Sequence, residues 1–128
     1  MPITHRFDTT TGILFSKASG DITPEDGLQS HREIADYRSR HASLKLVADM
    51  RDAAVIASPD EVLAIMQAFF HIVGPDIPVA LIVPDDAADP NPLLAQTQAF
   101  IEGGRMRVFH RENAATSWLL DGAPRSRG

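Results

Sequence analysis

The chain predicts an α/β domain in which mainly parallel strands alternate with amphipathic helices. Three observations carry that prediction. Two short apolar runs, Leu44–Ala48 and Val79–Val83, have strand length and little polar alternation, as interior strands of a parallel sheet do. The helical series Val62, Ile65, Met66, Phe69, Phe70, Val73 lies between them and is the strongest periodic signal in the chain. Ser58-Pro59-Asp60-Glu61, just before that series, has the pattern of a capping box with proline at the first helical position.

The elements follow in order. Ile3–Phe7 reads as a short strand, Asp8–Gly12 as a turn, and Ile13–Ser19 as a second strand by its alternation. So short a link makes the pair an antiparallel hairpin. Gly20-Asp21-Ile22 is expected to break the strand. Thr23-Pro24-Glu25-Asp26 then opens a helix: Thr23 caps it, Pro24 needs no amide partner, and the acids suit the positive end of the dipole. That helix carries Leu28, His31, Ile34 and Ala35 inward and fades near Arg38.

The strand Leu44–Ala48 is expected to end in an acidic loop, Asp49-Met50-Arg51-Asp52. Gly74-Pro75 stops the Ser58 helix. After Val79–Val83 comes a second acidic loop, Asp85–Asn91, and Pro92 starts a third helix with Leu94, Thr97, Phe100 and Ile101 inward. Gly103-Gly104 ends that helix. Arg105–Phe109 is a last strand, and Glu112–Leu120 a last helix with Ala115, Trp118 and Leu119 on its apolar side. The order is β-β-α-β-α-β-α-β-α: a mainly parallel five-stranded sheet, an N-terminal antiparallel hairpin and four helices. One domain is expected over residues 1–122, with 123–128 a frayed tail.

Composition narrows the function. The 128 residues are 44% hydrophobic and 23% charged, which fits a globular domain able to bury its own core. Net charge is −5 with scattered cations, which argues against a nucleic-acid partner. The chain has no cysteine, which rules out disulfides, thiolate metal sites and cysteine nucleophiles. With no signal-like N-terminus and no apolar run of about 18 residues, a cytoplasmic protein without membrane insertion is expected. Neither a glycine-rich phosphate loop nor a Gly-x-Ser-x-Gly elbow occurs.

Few residues remain that could do chemistry. In an open α/β sheet ligands bind beyond the carboxyl ends of the strands, where Asp49 and Asp52 follow one strand and Asp85 and Asp86 the next. Gathered together these carboxylates could hold Mg²⁺ for phosphoryl chemistry; apart, they are solvated turn formers. No metal or other cofactor is expected. Of the five histidines, none has a metal-motif spacing; His31 reads as a hydrogen-bonded core residue and His71 as a surface one. Met66, Phe69, Phe70, Phe100, Ile101 and Trp118 could line an apolar ligand cavity or simply pack a core.

Three segments carry a family resemblance. Ala18-Ser19-Gly20-Asp21-Ile22-Thr23-Pro24-Glu25 looks like a strand-to-helix Gly-x-[Leu/Ile]-[Thr/Ser] junction. Leu46-Val47-Ala48-Asp49-Met50-Arg51 looks like a strand ending in Asp, and the segment from Val108 to Leu119 ends in a similar Val-Phe…Ala-x-x-Trp-Leu pattern. Together they resemble the SpoIIAA-like proteins, which include STAS domains and small standalone STAS/SEC14-like bacterial proteins. The resemblance implies helices packed largely on one side of the sheet and a non-catalytic role engaging a protein partner. Ser58 matches the serine that the anti-sigma-factor antagonists of this fold have phosphorylated, although Ala57-Ser58-Pro59-Asp60 replaces their Asp-Ser-Ser-Gly. Likeness to lipid-carrying SEC14 domains implies the alternative, a carrier of a small apolar ligand between helices and sheet. An uncovered sheet face or edge would invite a homodimer.

Overall fold

The computed structural model describes residues 2–86 and 88–122; the expected tail at 123–128 lies outside them. Strands β1 (Ile3–Asp8), β2 (Ile13–Ile22), β3 (Lys45–Val55), β4 (Pro78–Ile82) and β5 (Arg105–Phe109) form one five-stranded sheet in sequential order. β1 and β2 are antiparallel, and every later pairing is parallel. The helices are α1 (Pro24–Arg40), α2 (Pro59–Ile72), α3 (Asn91–Ile101) and α4 (Glu112–Leu120). The expected β-β-α-β-α-β-α-β-α order is the observed one.

Local chemistry explains the boundaries. In the hairpin turn the Asp8 carboxylate accepts from the Thr10 amide at 3.0 Å and from the Thr11 hydroxyl at 3.0 Å. Both predicted caps form full capping boxes, Thr23 with Asp26 and Ser58 with Glu61. α2 ends at Gly74, whose φ of +103° is left-handed and suits glycine alone. The Arg38 guanidinium spans this corner, donating to the Val73 carbonyl and the Asp76 carboxylate.

The first core packs one face of the sheet (Leu14, Leu46, Val79) against Ile34 of α1, Phe69 and Phe70 of α2 and Ala99 of α3. On the other face, Ile13, Val47, Ala80 and Ile82 meet Ala115, Trp118 and Leu119 of α4. A sequentially ordered parallel sheet whose crossovers share one hand sends its connecting helices to one face. The last helix has no further strand to reach and covers the other.

Two boundaries differ from the sequence reading, for one reason. β2 does not break at Gly20 but runs to Ile22, and β3 does not stop at Ala48 but runs to Val55. Beyond a register shift between Lys17 and Ser19, Ser19 to Ile22 pair with Asp52 to Val55. β4 pairs β3 only from Leu46 to Asp49, so the upper half of β3 has a neighbour on one side alone. Polar residues are tolerated there because that half is not an interior strand. Asp49-Met50-Arg51-Asp52 is therefore strand and not loop.

α1 and α2 approach closely at Gly27, where an added Cβ would lie 3.2 Å from Cγ2 of Ile65. One turn on, Nε2–H of His31 donates to the Ile65 carbonyl at 3.0 Å. No helix among the described residues is long and apolar enough to cross a membrane.

Gly74→Ala forces a left-handed residue to carry a Cβ and drives that atom into the Arg38 guanidinium. It is expected to cost about 1–3 kcal/mol, read as a lower denaturation midpoint with an unchanged m-value.

Candidate functional site

Between the helix-covered face of the sheet and α1, α2 and α3 lies a partly open cavity of about 510 Å³. Leu46, Ala48 and Met50 of β3 and Leu81 of β4 form its floor. Ile34, Val62, Ile65, Met66, Phe69 and Phe70 form the helical wall. The projecting β2–β3 ribbon adds Ile22, Ala53, Ala54 and Val55, the β4–α3 connection adds Pro84, Asp86 and Asp89, and the first turn of α3 adds Asn91 and Pro92. The site therefore extends beyond the carboxyl ends of the central strands, where open α/β sheets place ligands.

Few polar side chains reach this space, and most are already engaged. Asp86 and Asp89 cap their own loop: Oδ1 of Asp86 accepts from the Ala88 amide, and Oδ1 of Asp89 from the Asn91 amide, each at 3.0 Å. His31 uses Nε2 on the Ile65 carbonyl and meets the Phe69 ring edge-on, centroids 5.2 Å apart, while its Nδ1 is buried without a partner. Burial holds its imidazole below the ordinary histidine value, against the smaller opposing effect of the Ile65 bond. Ser16 of β2, buried at 5% exposure, also lines the cavity. Its Oγ is 2.6 Å from Nδ1 of His5 on β1, and Nε2 of His5 is 3.1 Å from Oε1 of Glu33 on α1.

The apolar candidates separate. Met66, Phe69 and Phe70 line the cavity. Phe100 and Ile101 do not; they are 70% and 67% exposed. α3 turns Ala95, Gln98 and Ala99 inward, and these short side chains bring it close to its neighbours while the larger residues face out. Leu94 is half-buried and Thr97 exposed, so the inward stripe is rotated from the one expected. Trp118 belongs to the opposite face, packed near Phe109 with ring centroids 5.8 Å apart.

The acidic candidates do not gather. Asp49 points to the α4 side, where both its oxygens accept from Arg51, at 3.0 and 2.8 Å. Those hydrogen bonds, reinforced by the Arg51 amide and the nearby charges of Arg51 and Lys17, hold its carboxyl below the usual range despite burial. Asp52 pairs with Lys17 at 3.0 Å. Asp85 is exposed, 4.0 Å from His110, and Asp86 faces the cavity on the other side of the sheet. No three Asp, Glu, His or Cys side chains converge as a metal site among the described residues. The four acids are held in separate contacts, Asp49 by Arg51, Asp52 by Lys17 and Asp86 by an amide of its own loop, and of these only Asp86 lines the cavity. Ser58 is exposed at the start of α2 and its Oγ accepts from the Glu61 amide at 3.2 Å.

The fold is SpoIIAA-like. A crystal structure of an uncharacterised protein of the DUF3478 family with a SpoIIAA-like fold, from Shewanella loihica PV-4, aligns with a TM-score of 0.57 over 91% of each chain at 17% identity. No family model matches the sequence, and no curated protein matches it.

The depressed pKa of His31 has a definite sign in stability. The unfolded chain takes up a proton near pH 6.5, the folded chain only at lower pH. Stability is complete above 6.5 and declines as pH falls from there toward the folded pKa. Urea denaturation at pH 7.5 and pH 5 should show this loss, and His31→Gln should reduce it; an equal loss in the variant contradicts the assignment.

Proposed function

We propose that the chain is a non-catalytic binding protein that carries a small apolar molecule between α1–α3 and the sheet. The observation that supports this reading is the cavity itself. Its 510 Å³ falls within the ~300–1,000 Å³ of ligand pockets. Its walls are mostly aliphatic and aromatic, with a few fixed polar groups, the composition such pockets use. Several wall residues, among them Ile65, Met66, Leu81 and Met106, remain half-buried, so apolar surface is left for a guest to cover. At about 25 cal/mol per Å², covering it would favour occupancy.

Native mass spectrometry of gently purified protein tests the reading. An adduct of lipid-like mass, or uptake of added long-chain probes, is expected. Ala48→Phe, which places a ring on the cavity floor, should abolish uptake while keeping the far-ultraviolet circular dichroism of the parent. A clean apo mass with no uptake of any probe removes the proposal.

A second reading, engagement of a protein partner, is favoured by the outer face of α3, where Leu93, Phe100 and Ile101 are 69%, 70% and 67% exposed. Light scattering with Phe100→Glu tests its self-associating form: a dimer that the variant dissociates is the expected result, and a parent that stays monomeric rejects it.

A further inference from the structure

With His5 as the neutral imidazole, Ser16, His5 and Glu33 have a hydrogen-bond order with one direction. A carboxylate accepts and does not donate, so the contact at 3.1 Å requires Nε2–H of His5 to donate to Glu33. In a neutral imidazole the other nitrogen, Nδ1, is then an acceptor. The 2.6 Å contact to Ser16 must therefore use the serine hydrogen, with Oγ–H donating to Nδ1. The one proton of the hydroxyl is committed away from the cavity, and what Ser16 can offer inward is an oxygen lone pair. The chain of bonds is well sheltered: the His5 side chain is 7% exposed and Ser16 5%. His5 and Ser16 are directly opposed in the β1–β2 ladder, which fixes their spacing, and Glu33 reaches them from α1.

Resting on the apolar-carrier reading above, we infer that the preferred ligand carries a neutral O–H group, which donates to Oγ of Ser16 at the β2 wall of the cavity. The class is a long or bulky alcohol, or a carboxylic acid bound in its protonated form, in preference to an ether, an ester or an ionised carboxylate. An acceptor-only head would face the Ser16 lone pair with no hydrogen between them and lose its hydration without replacement. A donor head gains a bond in a low-dielectric setting.

The three residue types are those of a nucleophilic triad, but the arrangement does not support acyl transfer. His5 and Glu33 do not line the cavity whereas Ser16 does, so the imidazole sits behind the hydroxyl, away from any leaving group. Ser16 also lies mid-strand and is paired with His5 on one side and Ala48 on the other, in a sheet ladder and not at an exposed turn.

The experiment compares dodecanol, dodecyl methyl ether and dodecanoate by titration calorimetry at pH 8. Dodecanol should bind about tenfold more tightly than the ether, the worth of one hydrogen bond, and dodecanoate more weakly than dodecanol. Ser16→Ala should bring the alcohol-to-ether ratio to about one. Glu33→Gln, a near-isosteric change at a partly exposed site, removes the acceptor-only end that fixes the order, and should also lower the ratio. Equal binding of alcohol and ether by the parent, a ratio that survives both variants, or dodecanoate as the tightest ligand overturns the inference while leaving the carrier reading intact. Failure of all three probes to bind removes the carrier reading and this inference with it. Hydrolysis of p-nitrophenyl dodecanoate that Ser16→Ala abolishes would replace the inference with a catalytic role.

Discussion

Sequential strand order is the constraint on which the rest of the molecule depends. With β2 to β5 parallel and side by side, α1, α2 and α3 share one face, and the other receives only α4. The two faces are finished by different means. On the far side Trp118 and Leu119 cover the central strands, while nearer the hairpin the guanidinium of Arg6 lies 4.4 Å over the Phe15 ring and Lys17, Asp49, Arg51 and Asp52 pair along the surface. On the near side three helices must cover five strands. α1 and α2 are drawn together at Gly27 and His31, and the space between them, α3 and the projecting β2–β3 ribbon is the cavity.

The same constraint governs where polarity occurs. Apart from Nδ1 of His31, the polar side-chain atoms buried among the described residues find partners within the protein, because water is displaced by the layer above them. Glu33, His5 and Ser16 accomplish this as a chain across three elements, with the carboxylate at the outer end and the hydroxyl at the inner. Asp49, on the opposite face, is satisfied by a residue two positions along its own strand. The first arrangement ties the hairpin to α1; the second is made within one strand, with Lys17 of β2 adding its charge at 3.9 Å.

The element order, the Thr23 cap and the Ser58 capping box were legible in the sequence, because caps, prolines and 3.6-residue periodicity are local and reflect the backbone directly. The extension of β3 through Asp49–Val55 was not, since it depends on how far β2 runs alongside and where β4 stops. α3 was misphased because its inward stripe is Ala95, Gln98 and Ala99; a rule that sends the largest apolar residues inward picks Phe100 and Ile101 instead. Trp118 was assigned to the right helix side, but nothing local tells which face of the sheet that helix will cover. His5, Ser16 and Glu33 are 11 and 28 residues apart in the pairs they form. The only sequence trace of their meeting is that hairpin pairing sets His5 opposite Ser16.

Alanine recurs around the cavity, at positions 18, 48, 53, 54 and 95. Ala18 and Ala95 are buried in the core, whereas Ala48 and Ala53 are half-buried and Ala54 is exposed, so the last three are held less tightly by their neighbours. At Ala48, Ala53 and Ala54 a valine or leucine side chain would extend into the chamber and narrow it, with the sheet and helices still anchored by the two cores. The width of the chamber is thus set by a few wall positions, while the sheet order and helix packing are set elsewhere in the chain.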